Sequence, residues 1–197
     1  MGDEGFMDEH TFLDILHTAE RLKDTLRHST TSGGRPESVA EHSWRVSLMA
    51  LLLRHEFPGA DMDRVVRMCL IHDLGECFTG DIPAFEKTQG DQAREDRLLA
   101  EWVAALPPEL SRDFADLYRE MEAQETIEAK LYKALDKLEA VIQHNEAPLK
   151  TWTALEYALN QTYGAETVGF SPWLTGLREV LRRETAEKVE RGRTENK

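Results

Sequence analysis

Apolar residues recur at intervals of three and four along almost the whole chain, and no stretch alternates strictly between apolar and polar positions. That period belongs to helices that bury one face, so the chain is expected to be all-α, a single-domain helical bundle. The clearest case is ETIEAKLYKALDKLEAVIQ, with Ile127, Leu131, Leu135, Leu138 and Ile142 on one stripe and Asp136 on its flank. At 197 residues the chain suits one core better than two. One domain is expected over residues 1–188, followed by a charged, frayed C-terminal tail over 189–197.

Punctuation along the chain divides this periodicity into helices. The stripe Phe12, Ile15, Ala19, Leu22 and Leu26 predicts a first helix over about residues 11–27, broken by STTSGGRP. Ser38-Val-Ala-Glu41 has the spacing of a capping box and opens a second helix, whose inward row is Val39, His42, Val46, Met49 and Leu53. A third helix from about Asp61 or Asp63 carries Val65, Cys69, His72 and Glu76. Further helices are expected over DQAREDRLLAEWVAAL, ELSRDFADLYREMEA, TWTALEYALNQTY and, behind Ser171 as N-cap, WLTGLREVLRRETAEKVE. Trp44 and Trp102 read as core or interface residues, and Trp152, Tyr157 and Trp173 as a subunit surface or a lid on the core.

Two inward rows therefore contain a histidine where a leucine would serve packing better, and His72 is followed at once by Asp73. Burying His42, His72, Asp73 and Asp136 without compensation would cost several kcal/mol per ion. A divalent metal removes that cost. The donor set is mixed nitrogen and oxygen, which suits Mn, Co, Mg, Fe, Ni or Zn without choosing among them. Four protein ligands around a six-coordinate ion leave one place for water and one for a substrate oxygen.

The net charge of −13 argues against binding a nucleic-acid polymer, whose affinity comes mostly from cations meeting phosphates. The acidic start MGDEGFMDEH lacks the pattern of a signal peptide, and no apolar run approaches the ~18 residues of a membrane span. Only Cys69 and Cys77 are present, without CxxC spacing, so a reducing, cytoplasmic setting is expected.

His42, then His72-Asp73, then Asp136 resembles the H…HD…D signature of the HD-domain superfamily of metal-dependent phosphohydrolases. RPESVAEHSWRV, IHDLGECFTGDIP and KALDKLEAVIQ resemble its 5′-deoxynucleotidase branch, cytoplasmic helical proteins that hydrolyse deoxynucleoside 5′-monophosphates and commonly form homodimers. The resemblance implies that His42, His72, Asp73 and Asp136 hold one divalent metal. It also places Glu76 and Asp81 at the two acidic active-site positions. The substrate-contacting arginine of the branch has its counterpart in Arg27, with Arg35 a second candidate. One metal is favoured because no histidine lies between Asp73 and His144, where two-metal relatives carry extra ones.

Phosphate-monoester hydrolysis needs a nucleophile, neutralised phosphoryl oxygens and a proton for the leaving oxygen. Glu76 is expected to orient or deprotonate water, and Arg27 to clamp phosphate. Asp81 is expected either to protonate the 5′ oxygen or to hold the sugar 3′-hydroxyl. His28 stands where bacterial members of the branch have a tryptophan that helps exclude a ribose 2′-hydroxyl, which leaves deoxyribose selectivity open. Two other readings compete: an HD-type phosphohydrolase of another nucleotide or phosphorylated metabolite, and a non-catalytic HD module with a structural metal.

Overall fold

The structure is a computed structural model that describes residues 7–83 and 85–195. The first six residues of the acidic start and the last two of the expected tail lie outside the described residues. The chain runs α1 (Glu9–Glu20), a 3-10 turn (Arg21–Lys23), strands β1 (Leu26–Thr30) and β2 (Pro36–Ser38), α2 (Val39–Leu52), α3 (Met62–Ile71) and the single turn α4 (Glu76–Thr79). Then follow α5 (Gln89–Ala104), α6 (Pro108–Ala123), α7 (Ile127–Glu146), α8 (Glu156–Thr162) and α9 (Pro172–Glu195). The all-α expectation stands, with one small hairpin added.

Helix α7 is the axis of the bundle, with α2, α3, α6 and α9 packed against it. Its Leu131, Ala134, Leu135, Leu138 and Val141 are fully buried, together with Val46 of α2, Val65, Met68 and Cys69 of α3 and Leu174 of α9. Each of those side chains contributes roughly 1.5–3 kcal/mol relative to exposure, alanine less, so the α2–α3–α7 contact supplies most of the rigidity beneath the site.

The first helix is shorter than its apolar period predicts. Helix α1 ends at Glu20, and Thr25 then donates through both its amide and its hydroxyl to the Arg21 carbonyl. The chain turns extended because Ser29, Thr30, Thr31 and Ser32 are poor helix formers and Gly34 adopts φ +86°, which closes an antiparallel hairpin. Leu26 is consequently 54% exposed, and Phe12, Leu13 and Leu16 stand out from α1, which buries no residue.

Helix α3 also stops early, at Ile71, and Glu76 belongs to α4. The reason is local: His72 Nδ1 lies 2.8 Å from the Cys69 carbonyl oxygen, so the imidazole takes an acceptor that the next helical amides would use. The backbone then tightens through i to i+3 bonds, Leu74 to Ile71 and Glu76 to Asp73 among them. Gly75 is needed here, because a Cβ would sit 2.8 Å from Cγ of Glu95 on α5.

At the C-terminus α9 continues to Glu195 across residues expected to fray. Gly192 lets it lie against Leu149, whose Cδ2 would be 2.2 Å from any added Cβ. Trp152 is buried, Trp102 packs against the core, and Trp44 is 63% exposed.

The capping box forms as expected: Glu41 N–H donates to Ser38 Oγ at 3.3 Å, and Ser38 N–H donates to Glu41 Oε2 at 2.9 Å. The bidentate Arg35 guanidinium and the Ser38 amide hold the Glu41 carboxyl down at about 2. Glu41→Ala is expected to cost about 1 kcal/mol in denaturant unfolding near neutral pH. Because the folded carboxyl is more acidic than the unfolded one, that difference should shrink as pH falls from about 4.5 toward about 2.

Candidate metal centre

Three helices bring the predicted donors to one point. His42 lies in the first turn of α2, His72 and Asp73 at the tight turn ending α3, and Asp136 in the middle of α7. The two imidazole Nε2 atoms are 3.3 Å apart. Asp73 Oδ2 lies 3.1 Å from His72 Nε2 and 3.7 Å from His42 Nε2; Asp136 Oδ1 lies 3.3 Å from His42 Nε2 and 3.7 Å from His72 Nε2. Donors each ~2.1 Å from a shared ion stand about 3 to 4 Å from one another, so this spacing fits a transition metal or magnesium.

The far side of each ring decides which nitrogen faces the site. His72 Nδ1 donates to the Cys69 carbonyl, which can only accept, so Nε2 offers its lone pair inward. His42 Nδ1 lies 2.5 Å from Glu139 Oε2, both side chains fully buried, which orients that ring in the same way. Glu139 was not legible as a site residue, since a lone glutamate on a helix usually faces water. Its only signal is position, one turn beyond Asp136 on the same helix.

Charge tells the same story. Burial alone would lower the His72 pKa, yet Asp73 and Asp136 more than reverse this and push it up to about 10; burial and Arg27 oppose charge on His42, and Asp136 with Glu139 again win. Asp73 and Asp136 are held well below the ordinary carboxylate range: burial opposes this, but His72 beside Asp73 and Lys133 beside Asp136 outweigh it. The four donors thus demand about two positive charges among them. Lys133 beside Asp136 and Arg27 beside Asp73 meet part of that demand, and a divalent ion on the inward Nε2 lone pairs would meet the rest.

Above this point lies a cleft of about 270 Å³. Asp73, Asp136, Glu76, Asp81, Arg27 and Lys133 line it, as do His28, Phe85, His144 and Asn160. Glu76 is buried with one unpartnered oxygen, and burial with the charges of Asp73 and Asp81 pushes its pKa up to about 9. Asp81 follows Gly80, whose φ of +77° turns the chain back toward β1. Burial raises the Asp81 pKa against the pull of Arg27, with the His28 amide nearby also lowering it.

Arg27 sits on β1, not at a helix end, and is bracketed by Glu37 Oε2 at 3.3 Å and Asp73 Oδ2 at 3.7 Å. Arg35 is not brought to the cleft. It is exposed on the outer surface beside Trp44, where both its terminal nitrogens are taken by Glu41. The hairpin explains the split: β1 runs along the cleft while the residue before β2 faces away. His28 is held by buried Glu156, Nε2 to Oε1 at 3.0 Å, and His144 reaches the same oxygen at 3.3 Å.

Such a helical core, bringing two histidines and two aspartates from three helices together, with the aspartates lining a cleft, defines a metal-binding α-helical domain. The chain belongs to the HD domain family, whose model matches residues 19–172 and so spans all four donors. It is 35% identical over 114 residues to 5′-deoxynucleotidase HDDC2 of Bos taurus, a match covering 57% of this chain and 55% of that protein. The chain therefore spans about half the length of such relatives. The HDDC2 of Dictyostelium discoideum is 31% identical over 145 residues, covering 68% of this chain and 76% of that one. The crystal structure of a predicted metal-dependent phosphohydrolase from Magnetospirillum magnetotacticum MS-1 superimposes with a TM-score of 0.77 at 29% identity, covering 93% of this chain and 96% of that chain.

If Glu139 orients His42, Glu139→Gln should weaken metal affinity about 10- to 100-fold while the unfolding transition stays cooperative. Isothermal titration with Mn or Co measures this; unchanged affinity would remove Glu139 from the centre.

Proposed function

We propose that this protein is a metal-dependent phosphohydrolase that releases phosphate from nucleoside 5′-monophosphates, deoxy forms among them. The observation that carries the reading is the convergence of His42, His72, Asp73 and Asp136, whose two aspartates open on a cleft also lined by Glu76, Asp81 and Arg27. The similarity to proteins named 5′-deoxynucleotidase and metal-dependent phosphohydrolase supports it. A single divalent ion is the cofactor, with Mn, Co, Mg, Fe, Ni and Zn all compatible with the donor set.

When bound, such an ion supplies Lewis acidity toward a phosphoryl oxygen and lowers the pKa of a water molecule. The remaining work falls to side chains. Arg27, kept charged because Asp73, Asp81, Glu139 and Glu37 outweigh its burial, pairs its planar fork with phosphoryl oxygens. Glu76, buried beside Asp73 with one oxygen free of partners, orients the attacking water and, in its ionised form, takes its proton. Asp81, on the loop after α4 and lining the cleft, acts at the sugar end: it donates a proton to the departing 5′ oxygen or accepts from the 3′-hydroxyl.

Among the described residues no helix is long and apolar enough to cross a membrane. The two buried, free cysteines support a reducing, cytoplasmic setting. A homodimer is proposed on the exposed Phe12, Leu13, Leu16 and Trp44, and a monomer mass by light scattering would remove it.

The metal-loaded protein should release phosphate from at least one of dAMP, dGMP, dCMP and dTMP, and inactivity on the whole panel with each metal would overturn the reading. Asp73→Ala should lose both metal and turnover, whereas Glu76→Gln should keep metal and lose at least about 100-fold in kcat. Asp81→Asn separates its two roles: an equal loss on 2′-deoxy and 2′,3′-dideoxy substrates assigns proton donation, and a loss confined to the 2′-deoxy substrate assigns the 3′-hydroxyl. Because His28 and His144 make one cleft wall polar, AMP should be turned over as well as dAMP, and the ratio of kcat/KM for the two measures it.

A further inference from the structure

The wall of the cleft has a cation that the roles above leave unused. Lys133 lies one turn before Asp136 on α7, and its Nζ is 2.8 Å from Asp136 Oδ2, the oxygen turned away from the imidazoles. Arg27 makes the matching approach to the other aspartate, Asp73 Oδ2, at 3.7 Å. Each of the two aspartates therefore has its own cation, and both cations line the same cleft.

Neutralising Asp136 does not exhaust Lys133. An ammonium has three donors, and the hydrogen bond to Oδ2 uses one. The Tyr132 ring lies 5.7 Å from Nζ, a contact that needs no N–H of its own. The other lysines nearby are committed: Lys87 donates to Glu95 Oε2 at 2.8 Å, and Lys137 points to Glu166 and the Tyr163 ring. Asp136 keeps Lys133 charged despite its burial.

The charges along the cleft set what an anionic substrate would need from its wall. With Lys87 paired to Glu95, two cations, Arg27 and Lys133, face four carboxylates, Asp73, Glu76, Asp81 and Asp136, on the cleft wall. A phosphate dianion entering on Arg27 alone would meet more negative than positive charge. A second cation opposite Arg27, across the donors, gives its oxygens charge on two sides.

We propose that Lys133 is a phosphate-binding residue that works opposite Arg27, holding Asp136 with one N–H and a phosphoryl oxygen of the substrate with the others. The inference rests on the phosphohydrolase reading for its substrate, and on the cleft geometry alone for its anion. Lysine suits this double duty because its ammonium is a compact point charge with rotatable donors, whereas Arg27 offers a fixed fork.

The test uses the full-length, metal-loaded protein, with inorganic phosphate as probe and metal content measured alongside. Lys133→Met removes the charge and keeps the stem, and Lys133→Gln provides a second variant should the first misfold. Both should retain the metal stoichiometry of the wild type, bind phosphate at least tenfold more weakly, and lose at least 100-fold in kcat/KM on a nucleoside 5′-monophosphate that the wild type hydrolyses. Lys133→Arg should restore part of the phosphate affinity. Wild-type phosphate affinity in both neutral variants overturns the proposal, and so does parallel loss of metal and phosphate, which would make Lys133 only a support for Asp136. A wild type that binds phosphate through Lys133 yet hydrolyses none of the monophosphates leaves this inference standing and removes the activity reading instead.

Discussion

Two imidazoles and two carboxylates packed to within 3.1 to 3.7 Å at the meeting of three helices are the constraint on which this structure turns. Such a cluster is tolerable only if positive charge enters it and if each ring is held from behind. The second condition is met by groups with no other evident purpose: the Cys69 carbonyl behind His72 and the Glu139 carboxylate behind His42. Much of the local backbone follows from the first of these contacts. Helix α3 ends where it does because His72 turns back on the carbonyl that would have prolonged it. That early ending is what lets Asp73 point inward and lets α4 present Glu76 to the cleft.

A cluster of this kind needs an inflexible foundation, since a shift of a few tenths of an ångström would separate donors contributed by different helices. The foundation is α7, whose apolar side is buried by α2 and α3 and which carries Asp136, Glu139 and Lys133 on successive turns. Positions three apart on a helix share a face, so one rigid element places a donor, the support of another donor and a cation together. The β1–β2 hairpin supplies the opposite wall. It carries Arg27 to Asp73 and lines the cleft with Arg27, His28 and Ser29, so one wall is a piece of non-helical backbone in a helical protein.

Much of this was legible in the residues themselves. The all-α class followed from periodicity, and the inward histidines were visible because the rows Val39, His42, Val46 and Val65, Cys69, His72 depend only on local spacing. The capping box at Ser38 and Glu41 was likewise a local matter. What escaped was either a partner distant in sequence or a competition that periodicity cannot see. Leu22 and Leu26 continue a helical stripe, yet the strand wins because Gly34 allows the turn and the hairpin docks on α7 through Thr30 and Gln143. Glu139 escaped because its partner lies 97 residues away.

The sequence by itself determined the helical class and singled out the four residues proposed as donors and the acidic pair proposed beside them, because each is written in residue type and short-range spacing. Only the tertiary structure decided between Arg27 and Arg35, since both precede the same helix and a hairpin alone sends one inward and the other out to Glu41. The tertiary structure likewise chose which nitrogen of each histidine faces the centre and which lysine of α7 faces the cleft. Glu139 makes the choice for His42 from 97 residues away, while the Cys69 carbonyl makes it for His72 from three residues away, and in each case only the folded backbone brings the partner into reach.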